Sequence, residues 1–81
     1  MKTKYKFIHF EEIKEGEYKG IWQCKNNKSN AVLGHVSCYK QWKEYIFAQY
    51  EQEAIFSKGC LLDIVDFMDQ LINGNNPKIN K

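Results

Sequence analysis

A chain of 81 residues is too short for two ordinary domains, and a domain of this size buries only about 60–65% of the surface its unfolded chain exposes. With 43% hydrophobic and 15% aromatic residues it is too apolar for a disordered segment, so one compact core is expected. No apolar run approaches the roughly 18 residues of a membrane span, and the start shows no signal-peptide pattern, so the reading is a cytoplasmic protein with no membrane partner.

The net charge of +2 conceals an uneven layout. Residues 1–43 carry nine Lys against four acids, whereas 44–81 carry three Lys against six. All twelve cations are Lys. The absence of Arg removes the side chain most used for bidentate reading of guanine, which argues against sequence-specific DNA binding. Cys24, Cys38 and Cys60 are odd in number and widely spaced, the pattern of buried reduced thiols rather than of a disulfide framework.

Punctuation recurs at short intervals, at Glu15-Gly16-Glu17, Lys25 to Asn30 and Glu51-Gln52-Glu53, and marks turns. Between these lie strand-like segments at Lys4 to Phe10, Tyr18 to Lys25, Ala31 to Tyr39 and Lys43 to Gln49. Short connections favour antiparallel neighbours. Alternation in the first segment sets Ile8 and Phe10 against Tyr5, Phe7 and His9, and in the second sets Trp22 and Cys24 against Ile21. Both faces are then partly apolar, and one helix cannot cover both. The uncovered side is expected to expose aromatic surface or meet a partner.

The last element is a helix. Ser57 suits the N-cap, Gly74 the position past the C-terminus, and Pro77 stops any continuation. Leu61, Ile64, Val65, Met68, Leu71 and Ile72 repeat at helical spacing, and Leu62 and Phe67 widen the apolar face. A face this wide suits a helix lying across a sheet with its flank against another subunit or loop; Leu62 and Phe67 reaching only the sheet margins is the simpler alternative. The expected fold is therefore α+β: a four-stranded antiparallel β-meander with one C-terminal helix on the sheet, over residues 1–74, followed by a tail at 75–81.

Chemistry-bearing patterns are sparse. His9, Cys24, His35, Cys38 and Cys60 contain no paired metal-ligand spacing, and His35 and Cys38, three apart on a strand, point to opposite faces; no metal or cofactor is expected. Cys60, in the first helical turn, is the one nucleophile candidate, but no spacing ties a histidine base to it. Burial against the sheet is the better account of it, and the chain reads as non-enzymatic. Lys residues interleaved with Tyr5, Phe7, Trp22, Tyr39, Trp42 and Tyr45 could stack bases and steer phosphates, although ordinary half-exposed sheets carry the same mixture. Large aromatics such as Tyr39, Trp42, Tyr45 and Phe47 also serve both cores and interfaces.

Read as strings, Trp22-x-Cys24-x-Asn26-x-x-Ser29, Leu33-Gly34-x-Val36, Tyr39-x-x-Trp42-x-x-Tyr45-x-Phe47 and Phe56-Ser57-x-x-Cys60-Leu61-x-Asp63-Ile64-x-x-Phe67-Met68 resemble an uncharacterised group of small bacterial and phage-encoded proteins, over nearly the whole chain. The resemblance implies a compact sheet-plus-helix domain with no catalytic residues to transfer. It also suggests action by occupancy, through a host protein or a sequestered nucleotide.

The leading expectation is a binding module that contacts another protein or a second copy of itself, a homo-oligomer, through an aromatic sheet face or the apolar helix face, with Tyr39, Trp42, Tyr45 and Phe67 as contact residues. The alternative is a nucleotide or nucleic-acid binder using Trp22, Trp42, Lys25, Lys28 and Lys43.

Overall fold

A computed structural model of the chain describes residues 1–50, 52 and 54–75. Strands β1 (Ile8–Glu12), β2 (Trp22–Asn26), β3 (Val32–Tyr39) and β4 (Glu44–Gln49) form one sheet in sequence order, each pair antiparallel. Helix α1 (Lys58–Gln70) follows and runs into a closing turn over Leu71–Asn75. The four-stranded meander with a single C-terminal helix is thus the observed architecture. Of the predicted tail at 75–81, Asn75 belongs to the closing turn, and residues 76–81, Pro77 among them, lie outside the described residues, as do Glu51 and Glu53 of the third predicted turn.

Local chemistry accounts for the connections. Gly16 and Gly20 both take positive φ between β1 and β2, a region glycine enters without steric cost. Asn26 Oδ1 accepts from the Lys28 and Ser29 amides at 2.8 and 3.0 Å, the Asx turn that opens the β2–β3 loop. Ser57 caps α1 by accepting from the Cys60 amide at 3.1 Å. Gly74 reverses the chain at φ +101°, the left-handed residue that ends many helices.

The N-terminal segment differs from expectation. Lys4 to Phe10 is not one strand: the chain bends at Lys6-Phe7, and residues 3–5 fold back along β1. There the Tyr5 amide donates to the Ile8 carbonyl and the Phe10 amide to the Thr3 carbonyl, both at 2.8 Å. Asn27 holds the bend, its Nδ2 donating to the carbonyls of Tyr5 and Lys6 at 2.8 and 3.2 Å. Tyr5, predicted to oppose Phe10, is therefore buried beside it, with ring centroids 5.9 Å apart and edge to face. The Tyr5 hydroxyl donates to Asp66 Oδ2 at 2.8 Å. Burial first, and then this bond to a carboxylate, raise the phenol pKa well above its ordinary value. The second strand also starts later than predicted, at Trp22, because residues 17–20 form the turn.

The core lies between one sheet face and α1. Ile8, Phe10, Cys24, Val36 and Tyr45 meet Cys60, Ile64, Phe67 and Leu71. Phe47 turns over Gly34, where a Cβ would run into the Ala48 carbonyl oxygen and stand 2.8 Å from the Phe47 ring. Only glycine fits that position. The opposite sheet face carries a polar cluster along β1 and β2: Lys25 Nζ and His9 Nε2 reach the Glu11 carboxylate at 2.9 and 3.3 Å and hold it below its usual pKa. Aromatic side chains stand at its margins, where Tyr18, Tyr39 and Tyr50 are exposed. The buried-thiol expectation holds for Cys24 and Cys60 but not for Cys38, which is exposed near the β3–β4 turn.

Candidate functional site

Helix α1 and its closing turn carry two apolar stripes of identical spacing. Cys60, Ile64, Phe67 and Leu71 form the first and are buried on the sheet. Leu61, Val65, Met68 and Ile72 repeat the same steps of four, three and four one residue later, about 100° around the helix. Such spacing is that of an a/d seam between paired helices. In this second stripe Met68 packs partly against the core, whereas Leu61, Val65 and Ile72 are each about half exposed, as is the adjoining Leu62.

The two flanks of α1 differ in chemistry. On the β1 side Asp66 and Gln70 bond to Tyr5, and Gln70 also exchanges hydrogen bonds with the Lys2 backbone, accepting from its N–H at 2.8 Å and donating to its carbonyl at 2.9 Å. That flank is closed by polar contacts. The second stripe lies on the β4 side. At its C-terminal end, Ile72 joins Cys38, Lys43, Glu44 and Tyr45 around a shallow apolar pocket of about 220 Å³. At its N-terminal end, Ile55 is 93% exposed just before Phe56, whose ring meets Phe47 edge-on at 5.5 Å.

The sequence-predicted contact residues divide. Trp42 is 67% exposed at the tip of the β3–β4 hairpin, with Tyr39 edge-on at 5.0 Å. Tyr45 is buried, and Phe67 is fully buried at the centre of the core, stacked on Phe10 and edge-on to Trp22. Phe67 is thus kept from the surface, because the ring that widens the apolar face of α1 is the one that points at the sheet, whereas Tyr45 borders the Ile72 pocket. The apolar excess falls on Leu61, Leu62, Val65 and Ile72 instead.

The residues of the nucleotide alternative are not brought together. Trp22 lies under α1 on the inner face. Lys25 pairs with Glu11 on the outer face. Lys28 sits in the β2–β3 turn, whereas Trp42 and Lys43 sit in the β3–β4 turn, at the other end of β3 and about 20 Å or more away along an eight-residue strand. The Lys28 turn does adjoin exposed Phe7 and Lys6, whose ammonium lies 5.2 Å from the Phe7 ring centroid.

His9 and His35 project from the outer face, where they meet Asn27 and Tyr50 at 2.7 and 3.1 Å. Cys60 lies on the inner one, so the sheet separates both imidazoles from its thiol. His35 and Cys38 do point to opposite faces: Cys38 lines the Ile72 pocket while His35 stands beside Tyr50. Among the described residues no three His, Cys, Asp or Glu side chains converge on a metal-sized space, and no helix is long and apolar enough to cross a membrane. Sequence reasoning had the apolar flank of the helix in view as a contact surface but placed Phe67 on it, and the spacing, the same in both stripes, could not tell which one faces the sheet.

Comparison of the chain with protein-family models, with curated proteins and with solved structures gives no match in any of the three.

Proposed function

We propose that this domain works by protein contact rather than by catalysis, and that it self-associates through the β4-side flank of α1. The observation that carries this reading is the half-exposed second stripe. Leu61, Leu62, Val65 and Ile72 leave on the order of 350 Å² of contiguous apolar surface, within the range of functional patches on small monomers. Nothing in the helix itself requires that exposure, since a polar residue at one of these half-exposed positions would cost only about 1 kcal/mol of apolar burial. The spacing supports a helix as the covering element, and this chain supplies one. A patch of this size corresponds to a weak, reversible association.

A dilution series of amide NMR spectra, from millimolar to low micromolar protein, tests the reading. Shifts that move with concentration at Leu61, Leu62, Val65 and Ile72, and stay fixed at Glu11 and Lys25, are expected. Spectra that do not change with concentration would overturn it. Stacking of nucleotides has less support, because its candidate residues stand at separate places on the fold.

A further inference from the structure

Resting on that reading, we infer that the pocket formed by Cys38, Tyr45 and Ile72 is the receiving site for Ile55 of a second copy. The two copies are related by a two-fold axis that sets their α1 helices antiparallel. The second stripe is self-complementary in this sense: about a two-fold between positions 66 and 67, Leu61 meets the partner's Ile72 and Val65 meets the partner's Met68. Each of these contacts occurs twice.

The ends of the stripe explain why Ile55 and the pocket belong together. Within one copy they lie at opposite ends of α1, with Leu61 and Ile72 separated by about 16 Å along the axis, so Ile55 cannot fill its own pocket. An antiparallel two-fold exchanges the ends and sets the start of the partner's α1, which Ile55 precedes by three residues, beside the pocket. At about 220 Å³ the pocket is below the usual size of a small-molecule site and suits one branched aliphatic side chain. It is lined by Cys38, Lys43, Glu44, Tyr45 and Ile72. Ile55 is the most exposed large apolar residue among those described. With Ile55, the pocket walls and the stripe together, each copy contributes on the order of 600 Å², enough for a reversible dimer but below a standard permanent interface.

Cys38 provides the test, because it is the exposed thiol while Cys24 and Cys60 are buried. The full chain carrying Ile55→Cys is treated with diamide, which takes up the two electrons and two protons released as two thiols join. Expected is a covalent dimer on non-reducing gels that disappears when Cys38→Ser is added. Ile55 is almost wholly solvent-exposed, so the substitution leaves the core intact. A second variant, Ile55→Asp with both native partners retained, is expected to weaken association at least tenfold in sedimentation. If the unmodified chain dimerises but no Cys38-dependent crosslink forms, the antiparallel placement is wrong and self-association stands. If it sediments as a monomer at every concentration, both fail together.

Discussion

The Phe67 ring lies flat on Phe10, with centroids 4.1 Å apart and planes within 3° of parallel. This stack joins α1 to β1, and Trp22 closes it edge-on from β2 at 5.1 Å. Truncating Phe67 opens a cavity among rings that cannot collapse into it. Phe67→Ala is expected to cost about 3–5 kcal/mol, enough to unfold much of a domain this small. Trp42→Ala, at the exposed hairpin tip, is expected to change stability by about 0.5 kcal/mol or less. Urea titration of the two variants separates them; similar midpoints would place Phe67 outside the core.

Gly34 supplies a second check on the sheet. A methyl group there meets the Ala48 carbonyl and the Phe47 ring together, and the backbone cannot yield without breaking the β3–β4 ladder. Gly34→Ala is expected to destabilise by about 2–3 kcal/mol, in the range of overpacked cores. Adding Phe47→Leu should recover part of the loss by vacating the ring. A Gly34→Ala variant as stable as the parent would contradict the register that sets Gly34 against Gln49.

Alkaline pH probes the buried thiol. Burial pushes the Cys24 pKa up to about 12, above the value of an exposed thiol near 8.5. Between those values the unfolded chain releases the proton while the folded chain keeps it, so the unfolded state binds fewer protons and stability falls as pH rises. The Tyr5 phenol, also raised, acts in the same direction once pH passes its unfolded value. Stability is expected to be fully present below about pH 8.5 and to fall above it, by at most about 1.4 kcal/mol per pH unit for each group. Cys24→Ala is expected to flatten the first part of that fall. Thermal melts across the alkaline range measure it, and an unchanged slope in the variant would show that Cys24 is not the group responsible.

These particulars show what the sequence could and could not disclose. The meander was legible because turn chemistry at Gly16 and at Asn26 to Asn30 punctuates the chain locally, and the helix because Ser57 and Gly74 cap it locally. The bend at Lys6-Phe7 was not, since it depends on Asn27, about twenty residues away, bonding the carbonyls of Tyr5 and Lys6. The inward stripe of α1 was also hidden. Cys60-Ile64-Phe67-Leu71 and Leu61-Val65-Met68-Ile72 are equally periodic, and the choice is made by the aromatic rings waiting on β1 and β2. Assigning Phe67 to a contact surface followed from reading the wide face as a whole; the core takes the one aromatic ring of α1 with Ile64 and Leu71, and Leu61, Leu62, Val65 and Ile72 are left half outside.

Sedimentation equilibrium of the parent chain beside Val65→Lys tests the central claim most directly. Val65 is half exposed in the middle of the second stripe, so a lysine there alters the contact surface without entering the core. The account predicts a parent mass that rises from one subunit toward two with concentration, and a Val65→Lys variant that stays at one subunit while still unfolding cooperatively. A parent that remains a single chain up to millimolar concentration, or a variant that associates as well as the parent, would contradict it.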